Sequence, residues 1–219
     1  MAMIKGVTGG IVMTADVVGS TGTDSARLEA VLSETGKRIE EALAGGKKTF
    51  HFSRGDSFQA VIDHPADALR MAVLWRAGMI REGMDIRISL AVGEITHAGR
   101  TLALSSGPAF TASGRGLDQL KDKGESRMFL TGGKGLEDAY LQDTTTLADA
   151  LISDWTAVQA EAIFELLFTG ERQEALAKRL QVSQPAIHKR LAAARWSHIS
   201  RWMDGCANLL SRLHGEYQS

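Results

Sequence analysis

The sequence predicts an α+β fold: a ferredoxin-like βαββαβ domain followed by an all-α segment carrying a helix-turn-helix. Three observations predict it. Stretches near residues 10–18, 48–62 and 85–95 are apolar or alternate apolar with polar, as strands do, and helical periodicity separates them. From Thr156 onward the pattern is helical throughout. Charge divides along the same line. The chain has net charge −1, but 171–219 carries eight Lys and Arg against four acids, which is +4 and leaves −5 for residues 1–170. A basic module that faces an anion, attached to a mildly acidic body, has that signature.

With 219 residues and 44% hydrophobic content, the chain is long enough for two small domains with packed cores. The expected division is 1–150 and 151–219, with the glycine-rich and then polar stretch 131–146 as the boundary region. No apolar run reaches the ~18 residues of a membrane span, and MAMIKGVTGG lacks the apolar core of a signal segment. The single cysteine, Cys206, excludes an internal disulfide and a cysteine zinc site, and fits a reducing cytoplasm.

The elements follow in order. Residues 10–18 hold Ile, Val and Met without polar alternation until Thr14 and Asp16, which predicts a buried strand. After the turn Gly19–Gly22, Thr23 or Asp24 suits an N-cap, and Leu28, Val31, Leu32, Ile39 and Leu43 fall at helical spacing. Phe50 and Phe52, then Phe58, Ala60 and Ile62, predict a hairpin turning at Ser53–Asp56. Pro65 opens a second helix and Gly83 closes it. Asp85–Ile95 alternates as a strand, Pro108 starts a helix to about Lys121, and Arg127–Thr131 is a short last strand. Helices are then expected over 159–168, over 171–180, and from Ser183 to about Leu213 without a break.

Gln173–Leu191 (QEALAKRLQVSQPAIHKRL) is the most specific stretch. Leu176, Ala177 and Leu180 form the inner face of one short helix, and Ala186, Ile187 and Leu191 that of the next. Val182 fills the turn, and Ser183-Gln184-Pro185 starts the second helix with a cap and a proline. Glycine is the usual turn residue, and Gln181 stands there instead. The pattern fits a helix-turn-helix on double-stranded DNA. Ser183, Gln184, His188 and Lys189 would face the major groove, and Lys189, Arg190 and Arg195 would hold phosphates. A plain helical hairpin with a solvated basic face, or one used for protein contacts, has the same spacing.

Asp16 and Asp56 each lie in or beside a strand with a glycine nearby. Two carboxylates on neighbouring strands suit a divalent metal and a polyphosphate. A carboxylate satisfied by turn amides, and a turn aspartate, are the structural alternatives. The blocks ADVVGST (Ala15–Thr21), RGDSFQ (Arg54–Gln59), IRISLAVGEI (Ile86–Ile95) and SGPAFTASGRGLD (Ser106–Asp118) resemble, in order and spacing, the class III nucleotidyl cyclase homology domain. Followed by QPAIHKRL, they resemble the SatD-like family of bacterial proteins. The resemblance implies a cyclase- or palm-type βαββαβ body. It implies Asp16 and Asp56 as ligands for Mg²⁺ or Mn²⁺ accompanying a nucleotide, with Val17, Val18, Gly19, Ser20 and Arg115 contacting its phosphates. It puts Thr111 where an asparagine acts on the transition state, and Phe52 where a lysine selects the base. That implies a body that senses nucleotide or dimerises, without catalysis. The combined expectation is a cytoplasmic, homodimeric DNA-binding regulator. A metal-dependent nucleotidyl cyclase, or a related phosphoryl-transfer enzyme acting on a nucleoside triphosphate, is the competing expectation.

Overall fold

A computed structural model describes residues 6–42, 49–52, 56–62, 64–97 and 105–217. The expected turn residues Ser53–Gly55 and most of the loop after His97 lie outside that set. The strands are β1 (Gly6–Val17), β2 (Thr49–Phe52), β3 (Ser57–Ile62), β4 (Ile86–His97) and β5 (Met128–Thr131). The helices are α1 (Ser25–Ala42), α2 (Pro65–Ile80), α3 (Pro108–Lys123), α4 (Leu136–Ser153), α5 (Ala157–Thr169), α6 (Gln173–Arg179), α7 (Gln184–Ala193) and α8 (Trp196–Glu216).

The sheet order is β2-β3-β1-β4-β5. The first four strands pair antiparallel in the order of a βαββαβ unit, and β5 adds parallel to β4. This is an α+β fold with a mixed sheet. β1 is central, with Ile11 opposite Ile62 on one side and Val92 on the other. Alternation decides its faces. Ile11, Met13, Ala15 and Val17 join the main apolar core, whereas Val12 packs with Ile95 and Ala109 beneath α3. Gly116 lets α3 come this close, because a Cβ there would collide with Ser89 and Phe129.

The helix α2 fills the main core. Its residues Ala68, Leu69 and Met71–Met79 are all buried, and it packs against α1, α5 and α8 as well as the sheet. A helix apolar all round has no solvent face to lose, so it belongs in such a position. The exception is Arg76, fully buried. Its Nε lies 2.8 Å from Asp85 Oδ1, and its guanidinium donates to Asp149 and, at 3.0 Å, to Ser153 Oγ. Asp149 also accepts the Arg127 amide at 2.6 Å. This network ties α2 to α4 and to the starts of β4 and β5.

Two elements differ from expectation. The stretch 131–146 was expected as a boundary, yet α4 occupies most of it and runs past residue 150. Leu141, Thr145, Ala148 and Ile152 recur at helical spacing on its buried side, but Thr144-Thr145-Thr146 and the preceding glycines mask that period. The apolar cluster is continuous across residue 150, from Ile11 to Leu213. The single helix expected from Ser183 to Leu213 is two helices. Arg195 adopts a left-handed conformation (φ 55°) between them, and the Trp155 indole donates to the Ala194 carbonyl at 2.9 Å, holding the corner. The final helix passes through Gly205 unbroken.

Removing one partner of a buried ion pair strands the other charge. Asp149→Ala is expected to lower unfolding stability by about 3 kcal/mol. Asp143→Ala, on the exposed side of α4, should change it by less than about 0.5 kcal/mol. Urea denaturation of both variants distinguishes a network the fold depends on from a decorative one.

Candidate functional site

Two regions carry the residues singled out by the sequence. The first is the end of β1. Asp16 is 8% exposed and lies on the α3 side of the sheet. Its Oδ2 lies 3.0 Å from Lys121 Nζ of α3, and its Oδ1 lies 3.5 Å from the Arg87 guanidinium of β4. Oδ1 accepts no hydrogen bond among the described residues. Asp56, just before β3, accepts a short hydrogen bond from Ser20 Oγ. The turn between them uses Gly19 in a left-handed conformation (φ 67°) leading into a single 3₁₀ turn, Ser20–Gly22. Glycine meets that requirement without strain.

Two of the amides expected to cradle phosphate over Val17–Ser20 are engaged within the fold. The Val17 amide donates to the Asp56 carbonyl at 3.0 Å, and the Val18 amide to the Asp85 carbonyl at 2.9 Å. Both are committed to holding the strand ends together, which leaves Gly19 and Ser20 as the turn residues of that group. Arg115 and Thr111 are exposed on α3, and the Thr111 hydroxyl reaches back to the Gly107 carbonyl. The cations that reach Asp16 are Lys121 and Arg87, which the sequence reading did not single out. Arg87 sits directly opposite Asp16 in the β1–β4 register, so the pairing of the two strands was the signal that could have found it.

Carboxylate oxygens are the right donors for a hard divalent ion, and Asp16 Oδ1 is a buried oxygen with lone pairs to give. In that respect the residues fit a metal. Asp16 and Asp56 would hold it, and a bound ion would supply charge neutralisation for phosphate oxygens. Lys121 competes for the same carboxylate. Among the described residues no group of three or more His, Cys, Asp or Glu side chains is placed to hold a metal ion.

The second region is α6–α7. With α5 these helices form a three-helix unit, and Leu176, Ala177, Ile187 and Leu191 are buried inside it. Gln181 takes the left-handed turn position (φ 54°) that glycine usually fills. The Val182 amide then donates to the Ala177 carbonyl at 3.0 Å and closes the turn. Ser183 caps α7 by accepting from the Ala186 amide at 3.3 Å. Gln184, His188 and Lys189 are exposed on the outer side of α7, and Arg195 is exposed at its end. Arg190 is different: it is half-buried and paired with Glu161 of α5 at 3.1 Å. It is a bond between helices rather than a free phosphate contact.

No family model matches the chain, and no curated protein matches it. Several solved structures resemble it in part. A bacterial light-regulated adenylyl cyclase is 12% identical with a TM-score of 0.46; the match covers 58% of this chain and 44% of that one. The adenylyl cyclase CyaB from P. aeruginosa is 14% identical with a TM-score of 0.44, covering 53% of this chain and 74% of that one. The active GGEEF domain of a diguanylate cyclase from Vibrio cholerae is 14% identical with a TM-score of 0.42, covering 58% and 85%. This chain therefore spans less than half of the light-regulated cyclase. At these scores the likeness adds nothing to the strand order, which stands on its own pairing register.

If Lys121 and a divalent ion compete for Asp16, removing the lysine favours the ion. Lys121→Ala is expected to tighten Mn²⁺ binding about fivefold, the equivalent of a partly exposed ion pair worth about 1 kcal/mol. Calorimetric titration of Mn²⁺ into both proteins measures it. Equal affinities would show that Lys121 and the ion do not share the carboxylate.

Proposed function

We propose that this chain binds double-stranded DNA through α6–α7 and regulates transcription, with the mixed-sheet body serving as a nucleotide-sensing or dimerising part. The observation that supports this most is the turn at Gln181. It crosses α7 over α6 so that Ile187 and Leu191 face inward while Gln184, His188 and Lys189 stay on the solvent side. That is the presentation a recognition helix needs to enter a major groove. The net +4 of residues 171–219 supplies the attraction to phosphate. A homodimer, and a place in the SatD-like family, belong to the same proposal. Two copies would match a two-fold operator.

Fluorescence anisotropy with a genomic fragment library tests it. Binding is expected at low salt and to weaken as salt rises. Lys189→Ala should weaken binding on all sequences and reduce the salt slope by about 1, whereas Gln184→Ala should relax preference at one base position by about 1–3 kcal/mol. No affinity at low salt, where the phosphate contribution is greatest, would defeat the proposal.

A second reading has its own support in the buried Oδ1 of Asp16, which accepts no hydrogen bond among the described residues, beside the Ser20–Asp56 turn. It is a metal-dependent nucleotidyl cyclase or related phosphoryl-transfer enzyme acting on a nucleoside triphosphate. This reading expects pyrophosphate or cyclic nucleotide from ATP or GTP with Mn²⁺, and at least a hundredfold less from Asp16→Asn, since a metal-held charge is central to such steps. No turnover of any nucleoside triphosphate by the wild-type chain removes it.

A further inference from the structure

A crevice of about 420 Å³ lies between the ends of α1 and α2 and the first turn of α5. None of the sequence motifs points to it. Its inner wall is cationic. Arg38 grips Glu165 with both nitrogens, at 2.7 and 2.9 Å. Arg81 reaches the same carboxylate only at 3.6 Å and, through its Nε, the Glu82 carboxylate at 3.5 Å; that buried Nε makes no hydrogen bond among the described residues. Both guanidiniums lie over the Phe164 ring, at 4.8 and 4.1 Å from its centroid. Arg38 and Arg81 thus share the Glu165 carboxylate, and Arg81 also faces Glu82. Burial, and after it the Arg38 charge, pushes the Arg81 guanidinium down from its ordinary value. The rim is acidic. Glu82 and Glu161 also line the crevice, and each side chain is 43% exposed.

A guanidinium held only at ion-pair distance, by Glu165 inside and Glu82 at the mouth and without a hydrogen bond from its Nε among the described residues, presents a cationic inner end and an acidic outer end along one path. A simple anion would meet the acidic rim, and a simple cation would meet the inner arginines. We infer that this crevice is a binding site for a small zwitterion of the amino-acid type, its carboxylate on Arg81 and its ammonium at Glu82 and Glu161. The volume suits a small metabolite. A bidentate, charge-assisted contact to guanidinium is the strongest available anchor for a carboxylate.

The rim residue Glu161 is also the partner of Arg190 on α7, at 3.1 Å. An ammonium at Glu161 takes that carboxylate from Arg190 and frees the guanidinium on the helix assigned to DNA. The ligand therefore couples to α7 through one ion pair. This coupling rests on the DNA-binding reading; the binding site itself does not.

The test uses the full chain and the twenty common L-amino acids, each at millimolar concentration, read by thermal unfolding and then by calorimetry. At least one is expected to raise the melting temperature saturably. Its amine analogue without the carboxylate, and its acid analogue without the ammonium, should each bind about tenfold more weakly, the loss of one charge-assisted contact. Arg81→Met should weaken it by a similar factor. Arg81→Lys, which keeps the charge but not the fork, should lie between and guards against misfolding of the first variant. Added ligand should then change the half-saturation of DNA binding about fivefold, and Glu161→Gln should abolish that change. No saturable response to any of the twenty overturns the site. Equal binding of a singly charged analogue overturns the zwitterion assignment. A ligand that binds without altering DNA affinity overturns the coupling. A wild-type chain that binds no DNA defeats the helix-turn-helix reading, and the titration still decides the site alone.

Discussion

The buried guanidinium of Arg76 is the constraint around which the rest is arranged. A charge with no exposed surface is tolerable only when carboxylates surround it closely. Asp149 and Asp85 do so from two different elements. The consequence is rotational. An apolar helix such as α2 could turn about its axis at little cost, because every face is equally oily. One arginine that must meet two fixed acids removes that freedom. Since α5 and α8 pack directly on α2, the setting of α2 passes outward to the three-helix unit. The outer side of α7, the corner at Arg195 and the crevice at Arg81 all inherit it.

Much of the fold was legible. Strong periods and strong punctuation marked the strands at 10–18 and 85–95, the Pro65 and Pro108 helix starts, and the cap of α7. What failed did so for local reasons. A triplet of threonines and a glycine-rich lead-in hid α4. Arg195 has nothing in its chemistry to announce a left-handed residue (φ 55°). Its conformation is imposed from outside, by Trp155 holding the carbonyl just before it. The turn at Gln181 was legible by position and not by residue type, since neighbouring contacts over-determine a conformation glycine would adopt freely.

Charge was the least legible property, because the sequence gives charges without their partners. Asp16 reads as a free acid but faces Lys121 and Arg87. Arg190 reads as a member of a basic cluster but spends its charge on Glu161. Lys189, its neighbour in the chain, stays exposed. The two residues look equivalent in the sequence and differ in the fold, because only one of them lies within reach of α5. Composition thus indicates how much charge a face starts with, and packing decides how much is left for a ligand.

The final helix gives the chain an order of assembly. Tyr217, just past α8, rests so close to β1 that a Cβ on Gly9 would lie 2.6 Å from its own Cβ. β1 and α8 are therefore neighbours, although β2–β5 and α1–α7 lie between them in sequence. During synthesis β1 can pair with β3 and β4 as they follow, but its face at Gly9 stays uncovered until residue 217 has left the ribosome. Contacts of such long range are slow to form. The face of β1 at Gly9 is therefore covered later than the strand pairs on either side of it are formed.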